Sequence, residues 1–269
     1  MKEHFLEELG IYYRSTDIRP DRTTLVFIHS LLSSSAIWLR YFPAFEGTYN
    51  ILASDLRGHG HSRKPGRYED YSVENMAQDI TALLEHLKVK TYIPVSSSLS
   101  SLVALELLQK RLGAPAAVFL NPVYGTHDIL LTRVSRDLVA LATRIARLFR
   151  YSNEPASHTD YPRLGPVRDW SPKLLGREVW NTTLHVYLFC LDNFYKRNYD
   201  PWWDELRIPA LIIHGERDII SPIAQVRRLA GKLPHAKLVV LPEGSHVLML
   251  NYHGEVTDII RDYLESLSE

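Results

Sequence analysis

The chain has 269 residues, and its 31 Lys plus Arg balance 31 Asp plus Glu, which leaves no net charge to draw nucleic acid or an anionic membrane. With 45% hydrophobic and 23% charged residues it is neither a disordered nor a collagen-like chain, and its one cysteine, Cys190, cannot form an intrachain disulfide. Charges fill Met1–Leu9, where a signal peptide has an apolar core, and no apolar run reaches the roughly 20 residues of a membrane span; the expectation is a soluble, cytoplasmic protein with no nucleic-acid partner and no membrane span.

The first segment, residues 4–16, reads as a short antiparallel hairpin. Apolar runs that fit buried strands follow at Thr24–His29 and Tyr49–Ser54. Ser72 is a suitable N-cap for a helix carrying Met76, Ile80, Leu83, Leu84 and Leu87 on one stripe. A strand run at Thr91–Val95 leads into a helix over Leu99–Arg111 that stops towards Gly113, and another strand run occupies Ala116–Leu120. The alternation then breaks. Residues 124–204 show helical spacing, as in Leu138, Leu141, Ile145 and Leu148, and hold four of the five tryptophans: Trp170, Trp180, Trp202 and Trp203. Strand runs resume at Ala210–His214 and Lys237–Leu241. Strands alternating with helices imply an α/β fold, a mostly parallel sheet flanked by helices. Residues 1–123 and 205–269 form its core domain, and 124–204 is expected to be a helical cap inserted over it.

The chemistry begins at Val95-Ser-Ser-Ser-Leu-Ser-Ser101, between a strand run and a helix. A nucleophile on a sharp strand-to-helix turn needs small neighbours two residues before and after it. Ser96 and Ser100 supply them around Ser98. Read alone, the segment is equally a polar turn, and a register shifted by one would select Ser97. A serine hydroxyl is nearly inert without a base, and the base needs an acid to hold it. Asp218 follows one strand run and His246 follows the next. The loops after parallel strands share one edge of a sheet, so all three residues are expected to meet there. Asp128 is an alternative acid with a weaker loop context.

Four segments together resemble the α/β-hydrolase superfamily: Phe27-Ile-His-Ser-Leu-Leu32; Asp55-Leu-Arg-Gly-His-Gly-His-Ser62, which fits Asp-x-Arg-Gly-x-Gly-x-Ser; the elbow Ser96–Ser100; and the pair Gly215-Glu-Arg-Asp218 and Gly244-Ser-His246. The resemblance implies an α/β-hydrolase fold with Ser98 as nucleophile, His246 as base and Asp218 as orienting acid. It implies an oxyanion hole from the backbone N–H groups of Leu31 and Leu99, and a lid at 124–204. The chain departs from the family where Ser30, Ser96 and Ser100 stand in place of glycine. Pro94, in the strand before the elbow, lacks an N–H for the ladder and calls for a bulge or local distortion.

Other residues have plainer readings. His59 and His61 alternate as a metal pair could, but no carboxylate or cysteine completes a site, so they read as a structural turn. Gly58 and Gly60 begin a dinucleotide fingerprint that fails at Arg63. The aromatics of 124–204 suit an apolar pocket, with Ser30, Trp180 and Phe194 as candidate substrate contacts. The expected activity is hydrolysis of a small or medium apolar carboxylic ester through an acyl-enzyme, without metal or organic cofactor. A lactonase, a carbon–carbon bond hydrolase and a non-catalytic ligand-binding protein of the same fold remain alternatives. The sequence leaves the oligomeric state open.

Overall fold

Short runs rich in Val, Ile, Leu and Phe have too little length for a helix and no polar face to give to water, so they pair as buried strands. The computed structural model describes all residues except 112, 125–129, 150, 152–156, 169, 170, 268 and 269, and only the backbone of 130–134. Asp128 and Trp170 lie outside the described residues. The strands are β1 (Lys2–Leu6), β2 (Ile11–Ser15), β3 (Thr24–Ile28), β4 (Asn50–Ser54), β5 (Tyr92–Ser97), β6 (Ala117–Leu120), β7 (Ala210–Gly215) and β8 (Ala236–Leu241). They form one sheet in the order β1-β2-β4-β3-β5-β6-β7-β8. The β1–β2 hairpin runs antiparallel at one end, and β4, β3, β5, β6, β7 and β8 are mutually parallel.

The helices are α1 (Phe42–Phe45), α2 (Val73–His86), α3 (Ser100–Lys110), α4 (Leu130–Ala146), α5 (Pro172–Thr182), α6 (Leu184–Lys196), α7 (Asp200–Asp204), α8 (Ile223–Lys232), α9 (Leu248–Asn251) and α10 (His253–Ser266). Ser72 caps α2 as its position suggests, its Oγ accepting from Asn75 N–H at 3.2 Å. α3 ends at Lys110, and Gly113, at φ +104°, turns the chain towards β6 where a Cβ would stand 2.4 Å from the Lys90 carbonyl oxygen.

The central strands β3 to β7 are buried on both faces because each face has its own core. Val26, Leu52, Ala117, Phe119 and Ile212 pack with α2, α3 and α8 on one side. Their sequence neighbours Leu25, Phe27, Ile51, Val118, Leu120 and Ile213 pack with α1 and α10 on the other. Period-two alternation thus serves two apolar layers instead of one layer and solvent. Phe27 is fully buried against Trp38, Phe42 and Phe45, a site where truncation to alanine costs about 3–5 kcal/mol.

One sequence expectation changes. Pro94 needs no bulge: β5 keeps unbroken register with β3 from Tyr92 to Ser96, and its pairing with β6 begins at Val95, just past the proline. The helical spacing of Leu138, Leu141, Ile145 and Leu148 is real, but this stripe does not face the sheet. α4 buries Thr143 and Ala146, packs on α6, and leaves the leucines in solvent.

Candidate active site

β5 delivers Ser98 on a turn that an L-residue rarely adopts, φ +54°. Such a left-handed conformation costs on the order of 1–3 kcal/mol unless its surroundings hold it. Here backbone bonds clamp both sides: Ser98 N–H donates to the Leu120 carbonyl at 2.9 Å, and Ser101 N–H donates to the Ser98 carbonyl at 3.0 Å. Ser100 adds a brace that glycine could not. Its hydroxyl oxygen accepts from Ser97 N–H at 3.0 Å and sits 2.9 Å from the Ile28 carbonyl, joining the elbow to β3. Ser96 is buried, with its Oγ 3.5 Å from the Val118 carbonyl.

The Asp218 and His246 loops come together through backbone. Glu216 N–H donates to the Leu241 carbonyl and Arg217 N–H to the Gly244 carbonyl, each at 2.9 Å. Gly215 and Gly244 lie against each other so closely that a Cβ on Gly215 would stand 2.4 Å from the Gly244 carbonyl carbon. Asn121, at the end of β6, locks the pair. Its side-chain N–H groups donate to the Ser245 and His246 carbonyls, both at 2.9 Å, and its Oδ1 accepts from Gly215 N–H at 3.0 Å. Asn121 is fully buried and has φ +45°, which asparagine tolerates better than most residues. It is absent from the sequence-derived candidates; the signal that could have found it is an Asn-Pro pair closing a strand run.

Within this frame His246 Nδ1 lies 2.7 Å from Asp218 Oδ2, and His246 Nε2 lies 2.8 Å from Ser98 Oγ. A carboxylate only accepts, so Nδ1 carries the ring proton and Nε2 is left to accept from the serine hydroxyl. Asp218 is buried, and its other oxygen accepts from Ile220 N–H at 2.8 Å and Ser221 N–H at 2.9 Å. Those bonds fix the carboxylate plane that aims the imidazole. Among the described residues, neither the Leu31 nor the Leu99 backbone N–H has a protein acceptor. Leu99 stands at the N-terminal end of α3, where N–H groups lack helical partners.

The loop that carries Leu31 is held from the core and from the helical insertion between β6 and β7. Asp55 Oδ1 accepts from Ser35 N–H at 2.7 Å, and Oδ2 accepts from His61 N–H at 2.8 Å and from His158 Nε2 at 2.6 Å. Burial alone would raise the Asp55 pKa; the hydrogen bonds from His158 Nε2 and His61 N–H instead hold it down at about 2. Arg14 donates to His158 Nδ1 at 3.0 Å, so the proton on this histidine is on Nε2, facing Asp55. A second link runs from Ser33 Oγ to Tyr161 Oη at 3.1 Å and on to Glu178 Oε1 at 2.8 Å. Burial pushes the Glu178 and Tyr161 pKa values up. His29, fully buried, donates from Nδ1 to the Ser30 carbonyl at 2.8 Å and accepts Leu56 N–H at Nε2 at 2.9 Å. His59 and His61 do separate work: His59 is buried and donates to the Arg57 carbonyl, while His61 stacks on His158 with ring centroids 3.9 Å apart.

The structure brings Ser98, His246 and Asp218 together, but it does not bring Trp180 and Phe194 to them. Trp180 is 83% exposed on α5. Phe194 is buried in the core and stacks on Tyr199. Ser30 is half-buried next to Leu31, with its carbonyl taken by His29. Cys190 is buried on α6, and desolvation pushes its thiol pKa far up.

A family model described as alpha/beta hydrolase fold matches residues 23–251. The chain belongs to the alpha/beta hydrolase fold family. Among curated members, an uncharacterized hydrolase of Bacillus subtilis (strain 168), YugF, is 26% identical over 97% of this chain and 96% of its own length. Of another curated relative the chain spans 55% of the length. Among solved structures, a thermophilic esterase from Thermogutta terrifontis superposes with a TM-score of 0.72 at 19% identity, covering 96% of this chain and 93% of that one. The enol-lactonase from Burkholderia xenovorans LB400 gives 0.70 at 22% identity, covering 95% and 96%. At these identities the superpositions speak for the fold.

Proposed function

We propose that this alpha/beta hydrolase is a serine hydrolase that cleaves a carboxylic ester of a small or medium apolar substrate. The observation that carries the reading is the unbroken chain Ser98 Oγ, His246 Nε2 and Nδ1, Asp218 Oδ2, with gaps of 2.8 and 2.7 Å. His246 takes the Ser98 proton as Oγ attacks the ester carbonyl carbon, and Asp218 holds the imidazolium that forms. The carbonyl oxygen becomes an oxyanion beside the Leu31 and Leu99 N–H groups, each donor contributing roughly 3–4 kcal/mol in related sites. The tetrahedral intermediate collapses, the C–O bond to the alcohol breaks, and His246 Nε2–H protonates the leaving oxygen. Water then gives its proton to His246, adds to the acyl carbon, and releases the acid and free Ser98. All of these steps run on side chains and backbone of this chain and one water.

Residues 124–204 are the lid of this reading. The bond from Tyr161 to Ser33, and the bond from His158 to Asp55, which in turn accepts from Ser35 N–H, support that role, because they join the insertion to the segment that would hold the oxyanion.

The test is turnover of p-nitrophenyl acetate, butyrate and octanoate by the wild type beside Ser98→Ala, with a γ-lactone series in parallel. Loss of roughly a thousand-fold or more in the variant is expected. Equal, background-level rates in both proteins would remove the ester reading, and turnover confined to the lactones would redirect it.

A further inference from the structure

One face of the helical insertion lacks the partner that its composition calls for. On α4 and the turn that continues it, Leu138, Leu141, Ile145, Leu148 and Phe149 recur at spacings of a single helical stripe. They are 63%, 55%, 51%, 82% and 64% exposed. The opposite side of the helix is already engaged: Thr143 and Ala146 are buried, and Thr143 Oγ1 lies 3.3 Å from the Leu188 carbonyl of α6. The stripe is therefore a second apolar face, and no described element covers it. Single exposed apolar side chains are ordinary, whereas five in one row are not.

Charge narrows the choice of what does cover it. Residues 130–149 hold four arginines, Arg133, Arg136, Arg144 and Arg147, against one acid, Asp137, in a chain whose overall charge is zero. Arg136, Arg144 and Arg147 are exposed, and Arg147 shares Glu69 at 3.1 Å while Arg136 lies 3.5 Å from Asp137. A helix with an apolar stripe and a basic flank has the amphipathic pattern of one lying in a bilayer interface, leucines among the acyl chains and guanidinium groups at anionic headgroups. Two copies meeting through the same stripe would set their arginine-rich helices side by side and repel. The face is also the convex surface of a helix, whereas a peptide partner would require a groove.

We propose that the exposed face of α4 docks this protein onto the surface of an anionic lipid bilayer. Docking is peripheral: the helix lies in the plane of the interface, and among the described residues no helix is long and apolar enough to cross a membrane. It does not depend on the hydrolytic reading, because Ser98 takes no part in it.

The experiment is flotation of the full chain with vesicles of phosphatidylcholine alone and of phosphatidylcholine with 30% phosphatidylglycerol (~30%, enough for a negative surface). The wild type, Ser98→Ala, the double variant Leu141→Glu/Leu148→Glu, and the double variant Arg136→Gln/Arg144→Gln are compared. All four altered surface positions are exposed, so circular dichroism and thermal melting should match the wild type. Expected is co-flotation of wild type and Ser98→Ala with the anionic vesicles only, weakened by roughly ten-fold or more in 0.5 M salt (~0.5 M, where screening is short-ranged). The leucine variant should lose binding, and the arginine variant should bind several-fold more weakly. Absence of wild-type binding to anionic vesicles would overturn the proposal. So would light scattering that shows a dimer which the leucine variant dissolves, since a second copy would then own the face.

Discussion

Gly215 and Gly244 touch backbone to backbone, and the contact brings the Asp218 loop and the His246 loop to hydrogen-bond range. A methyl group on Gly215 would have to occupy the space of the Gly244 peptide, 2.4 Å away. Neither neighbour is a flexible side chain that could swing aside. Gly215→Ala is expected to cost about 1–3 kcal/mol through forced separation of the loops. It should also lower kcat on p-nitrophenyl butyrate by roughly 100-fold, as misplacement of about 1 Å does. Chemical denaturation and steady-state kinetics check the two effects, and an alanine variant with wild-type values in both would refute the account.

Asn121 makes three bonds that bind those loops to the end of β6. Asn121→Ala removes all three and leaves buried backbone groups without partners. A loss of a few kcal/mol is expected, since each buried orphan costs about 1–3 kcal/mol. Asn121→Asp keeps the acceptor for Gly215 N–H but turns donors into acceptors that face two carbonyls, so it should do no better. Thermal melting of both variants decides the point; a harmless Asp substitution would show that the donors do not matter.

His59 makes the fold sensitive to acid. Burial, reinforced by the nearby His29, lowers its pKa to about 3. Above pH 6.5 the folded and unfolded chains both hold it neutral. As pH falls through about 6.5 the unfolded chain takes a proton that the folded chain refuses, so stability declines until the folded group also titrates near pH 3. Each such proton steepens the slope by about 1.4 kcal/mol per pH unit. His185, lowered to about 4 by burial, acts in the same direction. Denaturation midpoints between pH 7 and pH 4 should fall steadily, and less steeply in His59→Asn. An unchanged slope in that variant would assign the acid sensitivity elsewhere.

His158 and Asp55 join the insertion to the core through a buried, charge-assisted bond. His158→Ala should destabilise the protein by about 1.5–3 kcal/mol, the range for hydrogen bonds to charged groups. It should also expose residues 124–204 to protease at concentrations that spare the wild type, because local opening there becomes easier. His158→Gln, which retains an N–H donor, should recover part of both. Limited proteolysis with the cut sites mapped is the measurement; cuts that start in the core would count against the link.

The strands and their order of chemistry are legible in the sequence because the central apolar runs are buried on both faces and each candidate residue follows a strand run. Ser98, Asp218 and His246 can be found that way without tertiary information. Trp180 and Phe194 cannot: an aromatic side chain on a helix carries no sign of whether it meets solvent, core or ligand. The stripe of α4 shows the same limit, since periodicity fixes a face but not what the face meets. Asn121 and His158 escape notice because their work is done across 94 and 103 residues of chain, on Gly215 and Asp55. Pro94 misleads in the opposite sense, as the strand pairing starts just beyond it.

Ser100 changes what the turn at Ser98 is made of. Where glycine would leave empty space, a hydroxyl accepts from Ser97 and reaches the carbonyl of Ile28. The requirement at that position is therefore one of volume and bonding, and a short hydroxymethyl side chain folded back on its own backbone meets it. A search pattern that spells the turn as Gly-x-Ser-x-Gly passes over this chain, while one that asks for small residues around a left-handed serine finds it.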